Sequence, residues 1–173
     1  MLPLEIESLR DYLTIVDDEH FMVLANQIFM SSNFILAYYP NHIDWFYNKQ
    51  LPGVISGTRD ILFVQNDENE IIAVSCLKDE EDEKKICTLY VKEEYRNKGI
   101  GTALIEKSMD YLQTDKPFLT ITESSLSSFV PIIYKYDWRL TEIVDGIYDI
   151  NSKEYCYNGF LTKKEKPMQK EKI

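Results

Sequence analysis

The sequence predicts an α+β domain: a mixed, mainly antiparallel sheet flanked by helices. Two observations carry this prediction. Helical periodicity dominates the first fifty residues, and three consecutive strand-like segments follow, separated by polar turns. A strand–helix–strand–helix order and a closing hairpin then complete a single predicted domain over residues 1–162.

Two helices are predicted near the start of the chain. The segment DDEHFMVLANQIFM, from Asp17, places its apolar side chains on one helical face behind an acidic first turn. The segment NHIDWFYNKQL, residues 41–51, has the same character. Pro52 and Gly53 follow it and are predicted to end the helix.

Three antiparallel strands are predicted next. They are ILFVQ from Ile61, EIIAVSCLK from Glu70 and ICTLYV from Ile86. The polar turn 66–69 separates the first two, and the acidic stretch DEEDE separates the last two. Short polar connections of this kind are typical of antiparallel neighbours.

The C-terminal half alternates between strands and helices. An amphipathic helix follows the glycines of YRNKGIGTALIEKSMDYL, and FLTIT reads as a strand after Pro117. A serine-rich stretch then leads into PIIYKYDW, a predicted short helix with Pro131 in its first turn. RLTEIVDGIYDI and EYCYNGFL predict a hairpin across residues 151–153, and residues 163–173 are expected to be a mobile, lysine-rich tail.

Charge and cysteine content exclude several classes of protein. The net charge of −10 argues against a nucleic-acid binder and favours cationic partners such as amines, although an acidic surface also serves solubility alone. Cys76, Cys87 and Cys156 form no Cys-x-x-Cys pair, so neither a disulfide framework nor a metal site is predicted. Without a signal-like segment or an apolar span near 20 residues, we expect a cytoplasmic protein with no membrane partner.

The junction RNKGIGT, between a strand and a helix, has the chemistry of an anion site. Gly99 and Gly101 let backbone N–H groups converge on a bound group, and the helix N-terminus adds a partial positive charge. Arg96 and Lys98 add full charges, so a pyrophosphate would fit. The alternative is that the glycines form only a tight turn.

Two common phosphate loops are absent. The dinucleotide fingerprint requires a glycine where this chain has Leu104, and GIGT is not the Gly-Lys-Ser or Gly-Lys-Thr of a P-loop. The segment instead resembles the R/Q-x-x-G-x-G/A signature of the GNAT acetyltransferase superfamily, in which this loop binds the pyrophosphate of acetyl-CoA. The resemblance implies a GNAT-like acyltransferase fold and acetyl-CoA as the acyl donor.

The resemblance also implies which main-chain groups bind the cofactor. In the family, the two strands that correspond to ICTLYV and FLTIT diverge, and the thioester inserts between them. The main chain of one strand would then contact the acetyl carbonyl and the pantetheine arm, through Leu89, Tyr90 and Val91. The loop amides would bind the pyrophosphate, through Arg96, Asn97, Lys98, Gly99, Ile100, Gly101 and Thr102.

IIYKYDW resembles the family segment L-Y-x-K-x-G-F, and it implies that Tyr134 protonates the departing thiolate. Tyr136 is the competing candidate. The segment departs from the family pattern where Asp137-Trp138 replaces Gly-Phe, and where Ser127 replaces an asparagine. Ser127 is expected either to bind the pantetheine or to cap the helix.

No general base follows from the resemblance. The position of the glutamate that some family members carry is Lys85, so a water relay is one alternative. Three carboxylates near predicted strand ends are further candidates or plain surface charges: Glu83, Glu123 and Glu142. Cys87 is expected to be a buried apolar residue rather than a nucleophile, because the family transfers the acetyl group directly.

The resemblance also implies that the acceptor pocket is formed by the region of the first two helices and the last hairpin. The first part of that region is rich in aromatic side chains, with Phe34 and Tyr38 as the proposed substrate contacts. The cluster continues with Tyr39, Trp45, Phe46 and Tyr47. Aromatic faces in a negative field would hold a cation, whereas ordinary packing of two helices would use the same residues.

The sequence thus predicts an acetyl-CoA-dependent N-acetyltransferase acting on a primary amine, first of all a small amine or an amino-acid-like metabolite. Acetylation of a peptide or protein amine is the second possibility. A non-catalytic acyl-CoA-binding sensor is the rival from another class, and a homodimer is compatible with each of them.

Overall fold

The strands of the protein form two sheets. A computed structural model describes residues 4–32 and 39–162. In chain order its strands are β1 (Glu7–Ser8), β2 (Arg59–Gln65), β3 (Ile71–Glu80), β4 (Glu83–Val91), β5 (Leu119–Thr122), β6 (Leu140–Asp145) and β7 (Lys153–Tyr157). One sheet has the order β1-β2-β3-β4 and the other β5-β7-β6. Neighbours within each sheet are antiparallel, which confirms the predicted run β2, β3 and β4.

In the described part of the chain, five α-helices flank these sheets. They are α1 (Asp18–Ser31), α2 (His42–Trp45), α3 (Leu51–Ser56), α4 (Ile100–Leu112) and α5 (Leu126–Lys135). A π turn, Phe46–Gln50, joins α2 to α3, so residues 42–56 are continuously helical. The predicted α+β class is therefore confirmed. Within the described ranges, every helix is too short or too polar to cross a bilayer.

The second predicted helix continues past the residues expected to end it. Pro52 is the second residue of α3, directly after the π turn. In the π turn the Leu51 amide donates to the Phe46 carbonyl, so the missing N–H of Pro52 falls where the regular α-helical hydrogen-bond pattern is already interrupted. The helix instead ends at Gly57, whose φ of +93° is the left-handed conformation of a typical helix C-terminus.

The first sheet is covered on both faces. Leu62 and Val64 of β2 belong to one apolar cluster with α4 and α5. Ile61 and Phe63, which alternate with them, belong to a second cluster with α1 and α3. Burial on both faces explains why ILFV is an unbroken apolar run rather than an alternating one.

Helix α5 begins five residues before Pro131, because the serine-rich stretch forms a 3₁₀ turn and the first helical turn instead of a loop. Pro131 therefore lies inside the helix, on its exposed side, where its ring removes one backbone hydrogen bond. The predicted C-terminal hairpin is confirmed, but its loop spans residues 146–152 and begins at Gly146, with a φ of +67°. The predicted tail, residues 163–173, lies outside the described residues.

Candidate active site

The two sheets meet and part between β4 and β5. Both strands start side by side in parallel, with a single bridge between Lys85 and Phe118. The Ile86 amide donates to the Phe118 carbonyl at 3.0 Å, and the Phe118 amide donates to the Lys84 carbonyl at 2.8 Å. Beyond that point β4 stays paired with β3, while β5 pairs with β7. The divergence expected from the sequence resemblance is therefore present.

A β-bulge accompanies the separation. The pairing of β3 with β4 shifts between Cys76 and Leu77, which leaves Cys87 as the extra residue. Bulges bend a strand and increase its twist, so this one helps to turn β4 away from β5. The Lys92 amide donates to β3 at Ile72, so by the alternation of an antiparallel ladder the amides of Leu89 and Val91 point into the gap.

The glycine loop connects β4 to α4. Asn97 and Gly99 have left-handed φ values of +60° and +83°, which turn the chain sharply into the helix. Among the described residues, the backbone amides of residues 97–102 donate no hydrogen bond. The Arg96 amide differs, because it donates to the Glu93 carbonyl at 3.1 Å. Successive free donors at a helix N-terminus are the arrangement that favours anion binding in proteins.

Glycine is favoured at the two loop positions, Gly99 and Gly101, for different reasons. A Cβ on Gly99 would meet nothing within 4 Å, but the φ of +83° disfavours any other residue. Gly101 has no such restriction, and its Cβ would meet only Val91 Cγ2 at 3.6 Å. The fold thus has room for a side chain at Gly101, and the glycine keeps the approach to the loop open.

The basic side chains of the loop are only partly committed to protein contacts. Arg96 Nε donates to the Val91 carbonyl at 2.8 Å, which ties the loop to the end of β4. Lys98 Nζ lies 5.4 Å from the centre of the Tyr95 ring. Both residues are exposed, so they add positive charge to the loop without being neutralised by an ion pair within the described residues.

A pocket of about 900 Å³ opens beside the start of the gap. Cys87 and Thr88 of β4 and Thr120 of β5 form its floor. The helical run 42–56 and the β6–β7 loop, through Tyr148, form its walls. Strand β4 therefore links the two features, because Cys87 and Thr88 line the pocket and the glycine loop follows the end of the same strand at Val91.

Comparison with known proteins identifies this arrangement. Residues 21–128 match the acetyltransferase (GNAT) family. The protein belongs to that family. It is accordingly an acetyltransferase whose acyl donor is acetyl-CoA, as the sequence resemblance implied. No curated protein sequence shows significant similarity to the chain.

Solved structures with the same fold are only distantly related in sequence. A GNAT-family protein from Desulfovibrio desulfuricans is 12% identical with a TM-score of 0.57, over 89% of this chain and 96% of that one. A spermidine N-acetyltransferase chimera from Vibrio cholerae is 13% identical with a TM-score of 0.55, over 89% and 93%. Nourseothricin acetyltransferase is 12% identical with a TM-score of 0.52, and the match spans 59% of this chain and 65% of that one.

In this acetyltransferase the two candidate acids differ in their surroundings. Tyr134, on the exposed side of α5, has 83% of its surface exposed, and its hydroxyl has no hydrogen-bond partner among the described residues. The Tyr136 hydroxyl donates to Glu106 Oε1 of α4 at 2.7 Å, and this bond raises the Tyr136 pKa. The Tyr136 hydroxyl is therefore hydrogen-bonded to a carboxylate, whereas the Tyr134 hydroxyl is free to contact a ligand.

The departures of this segment from the family pattern have structural explanations. Asp137 adopts a left-handed φ of +50°, the conformation for which glycine is the usual choice. Trp138 is buried in the core, as the family's phenylalanine position would require. Ser127 is the second residue of α5 and makes no capping bond, since the helix begins after Ser125. Of its two predicted roles, capping is not observed.

The predicted aromatic pocket is only partly assembled as expected. Phe34 and Tyr38 lie outside the described residues. Tyr39 and Trp45 line the pocket. The remaining two aromatics belong to the core packing of the helices: Phe46 is 1% exposed, and the Tyr47 hydroxyl donates to Asn26 at 2.7 Å.

The structure adds two buried polar groups that sequence reasoning missed. His42 Nε2 and Glu154 Oε2 have no hydrogen-bond partner among the described residues. His42 lines the pocket and stacks on Trp45, and burial lowers its pKa, which favours the neutral imidazole. Glu154 lies behind Tyr39, whose hydroxyl donates to Oε1 at 3.4 Å. Burial raises the pKa of Glu154, against weaker opposing contributions from Tyr39, Thr120 and Lys85.

A sequence signal for Glu154 does exist. In KEYCY the alternation of β7 puts Glu154 on the same face as Cys156, and both are buried. An acid on the inner face of a strand is unusual enough to mark a site. The three carboxylates considered from the sequence are elsewhere: Glu83 pairs with Lys78, Glu142 accepts from the Leu161 amide and Glu123 is exposed.

The buried carboxyl predicts an unusual pH dependence of stability. A raised pKa means that the folded protein binds this proton more tightly than the unfolded chain does. The ionised carboxylate therefore destabilises the fold. This loss of stability is absent below the unfolded pKa of about 4.3 and grows as the pH rises towards the folded pKa. We therefore expect Glu154→Gln to raise the Tm at pH 8 and to leave it unchanged at pH 4.

Thermal melts of both proteins at the two pH values test this prediction. Glu123→Gln, which removes an exposed carboxylate, is the matched control and should show no such pH-dependent difference. A Glu154→Gln protein that is less stable than the parent at pH 8 would show that the carboxylate is compensated in the fold.

Proposed function

We propose that the protein transfers the acetyl group of acetyl-CoA to a primary amine of a small molecule, either a simple amine or an amino-acid-like metabolite. One observation carries the proposal: the separating strands β4 and β5 both line a pocket of about 900 Å³, and β4 continues into the loop with six free amides. A cofactor held at the loop would therefore present its acyl end at the pocket floor.

The cofactor roles follow from the free main-chain groups. The amides of residues 97–102 would bind the pyrophosphate, supported by the charges of Arg96 and Lys98. The inward-facing amides of Leu89 and Val91 would bind the pantetheine arm and the acetyl carbonyl oxygen. Ser127, exposed in the first turn of α5, would add a side-chain contact.

The chemistry requires three proton or charge movements. The acceptor ammonium loses a proton, its nitrogen attacks the thioester carbon, and main-chain donors stabilise the resulting oxyanion. The C–S bond then breaks and the thiolate takes a proton, which we assign to the Tyr134 hydroxyl. Two buried groups are the candidate bases: His42, which lines the pocket, and Glu154, which lies behind Tyr39.

A phenol is a reasonable acid for this step. With reference pKa values of about 10 for a phenol and 8.5 for a thiol, full transfer is uphill by roughly 2 kcal/mol. A hydrogen bond formed in a site that the cofactor closes to water offsets a difference of this size. Direct transfer also leaves no role for a nucleophilic thiol, and burial raises the pKa of Cys87, which keeps it protonated.

A screen of acetyl-CoA-dependent thiol release tests the proposal, using amines, amino acids and short peptides as acceptors. We expect turnover with at least one small acceptor that exceeds turnover with every peptide. Faster turnover with peptides would favour a peptide or protein amine as the acceptor. Tight acetyl-CoA binding by calorimetry without thiol release from any acceptor would instead identify a non-catalytic sensor.

A further inference from the structure

Arg59 enters the acceptor pocket by an unusual route. It is the first residue of β2, and its side chain passes directly over Gly53 of α3. A Cβ on Gly53 would lie 2.4 Å from Arg59 Cδ, so only glycine leaves room for this path. Gly53 was predicted to end the helix. Its structural role is instead to leave room for the Arg59 side chain to reach the pocket.

A buried amide fixes the orientation of the guanidinium. Arg59 Nη1 donates to Gln50 Oε1 at 3.0 Å, and Gln50 is 0% exposed. Gln50 Nε2 donates in turn to the carbonyls of Asp60, at 2.7 Å, and Leu77, at 3.2 Å. Since both ends of the amide are committed, Arg59 is held in place before any ligand arrives.

The charge of Arg59 is not neutralised by the protein. Within the described ranges, no carboxylate lies within 4.0 Å of the side-chain nitrogens of Arg59, Lys85 or Lys49, all of which line the pocket. Lys85 Nζ instead lies 4.7 Å from the centre of the Phe118 ring. Of the lining residues that belong to the described ranges, only Asp44, which is exposed, is an acid.

The charge of the pocket lining is thus opposite in sign to the net charge of the protein. The net charge of −10 predicts cationic partners, yet three basic residues and one acidic residue line the pocket. A polyamine would be repelled by these groups, while two oxygens of an acidic group match the geometry of a fixed guanidinium. An uncompensated, pre-oriented arginine is costly for a fold unless a ligand uses it.

Resting on the proposed acetyltransferase function, we propose that the acceptor carries an acidic group as well as its amine, and that Arg59 binds that group. Lys85 adds a second positive charge beside the bulge at Cys87. The amine then lies towards the strand gap and the wall formed by Tyr39, behind which Glu154 is buried. A carboxylate and a phosphate share this chemistry, and the acceptors in the test separate them.

Matched acceptor pairs test the inference without any mutation. Thiol release is measured for amino acids against their α-amides, and for phosphoethanolamine against ethanolamine, with spermidine as a polycation. We expect at least a tenfold higher kcat/KM for the acidic member of the preferred pair, about 1.4 kcal/mol. The amide has the more easily deprotonated amine, so a preference for the acid must come from binding.

Arg59→Gln should remove this preference by lowering kcat/KM for the acidic acceptor at least tenfold, about 1.4 kcal/mol, while the neutral partner changes less than about twofold. Arg139→Gln makes the same change of charge at a side chain that is 78% exposed and outside the pocket, and it should preserve the preference. Circular dichroism melts establish that both proteins are folded.

A binding measurement covers acceptors that turn over slowly. Trp45 lines the pocket, so N-acetylated amino acids, the expected products, should change its fluorescence, and their amides should not. Equal use and equal binding of acidic and neutral members would overturn the inference while leaving the acetyltransferase proposal intact. Failure of acetyl-CoA itself to bind by calorimetry would instead overturn the proposed function.

Discussion

Tyr134→Phe is expected to lower kcat about 100-fold or more, the usual effect of removing a general acid. Affinity for acetyl-CoA should stay within about threefold, because only one hydroxyl is lost. The expectation depends on the position of Tyr134 in the family segment and on its free hydroxyl, which has no partner among the described residues. Steady-state rates with the best acceptor from the screen measure the effect.

Tyr136→Phe is the matched control for this experiment. It removes the same atom two residues away, but that hydroxyl is already bound to Glu106. We expect kcat to change less than about threefold, with a small loss of stability from the broken contact between α4 and α5. If the two variants exchange these effects, Tyr136 is the acid. If neither lowers kcat, the thiolate takes its proton from water.

Much of the fold could be predicted from the sequence because its signals are local. The apolar run of β2 and the polar turns on either side of β3 depend on short-range pattern, and they fixed three strands correctly. The ends of helices were less predictable. Pro52 does not end its helix, because a π turn precedes it, and a π turn has no simple sequence signature.

The candidate site divides in the same way. The glycine loop could be predicted because cofactor binding there depends on backbone geometry. The spacing of the glycines indicates where the backbone has that geometry. The pocket depends on side chains brought together from distant segments. The contacts of Arg59 with Gln50 and Gly53 form only when β2 packs against α3. Nothing in the separate sequence contexts of these residues indicates a site.

Charge illustrates why a global property did not predict a local one. The overall acidity of the chain suggested a cationic acceptor, yet most acidic side chains lie on the surface, away from the pocket lining. Inside the pocket the sign reverses. Ligand preference depends on the few groups within hydrogen-bonding reach, because solvent and salt screen the more distant exposed charges.

Gly101→Val is expected to weaken acetyl-CoA binding at least tenfold, about 1.4 kcal/mol, without unfolding the protein. The Cβ position is open, with Val91 Cγ2 at 3.6 Å as its only neighbour, so the cost falls on the ligand rather than on the fold. A branched side chain there would stand in front of the free amides of residues 97–102. Calorimetry with acetyl-CoA measures the loss of affinity.

Lys107→Val is the matched control, because it places the same branched residue on the exposed face of the same helix. It should bind acetyl-CoA within about twofold of the parent and should lose only a few tenths of a kcal/mol in helix propensity. Arg96→Ala should weaken binding less than Gly101→Val does, since most contacts at the loop come from backbone N–H groups. A folded Gly101→Val protein with undiminished affinity would mean that the pyrophosphate binds elsewhere, and the six free amides would need another ligand.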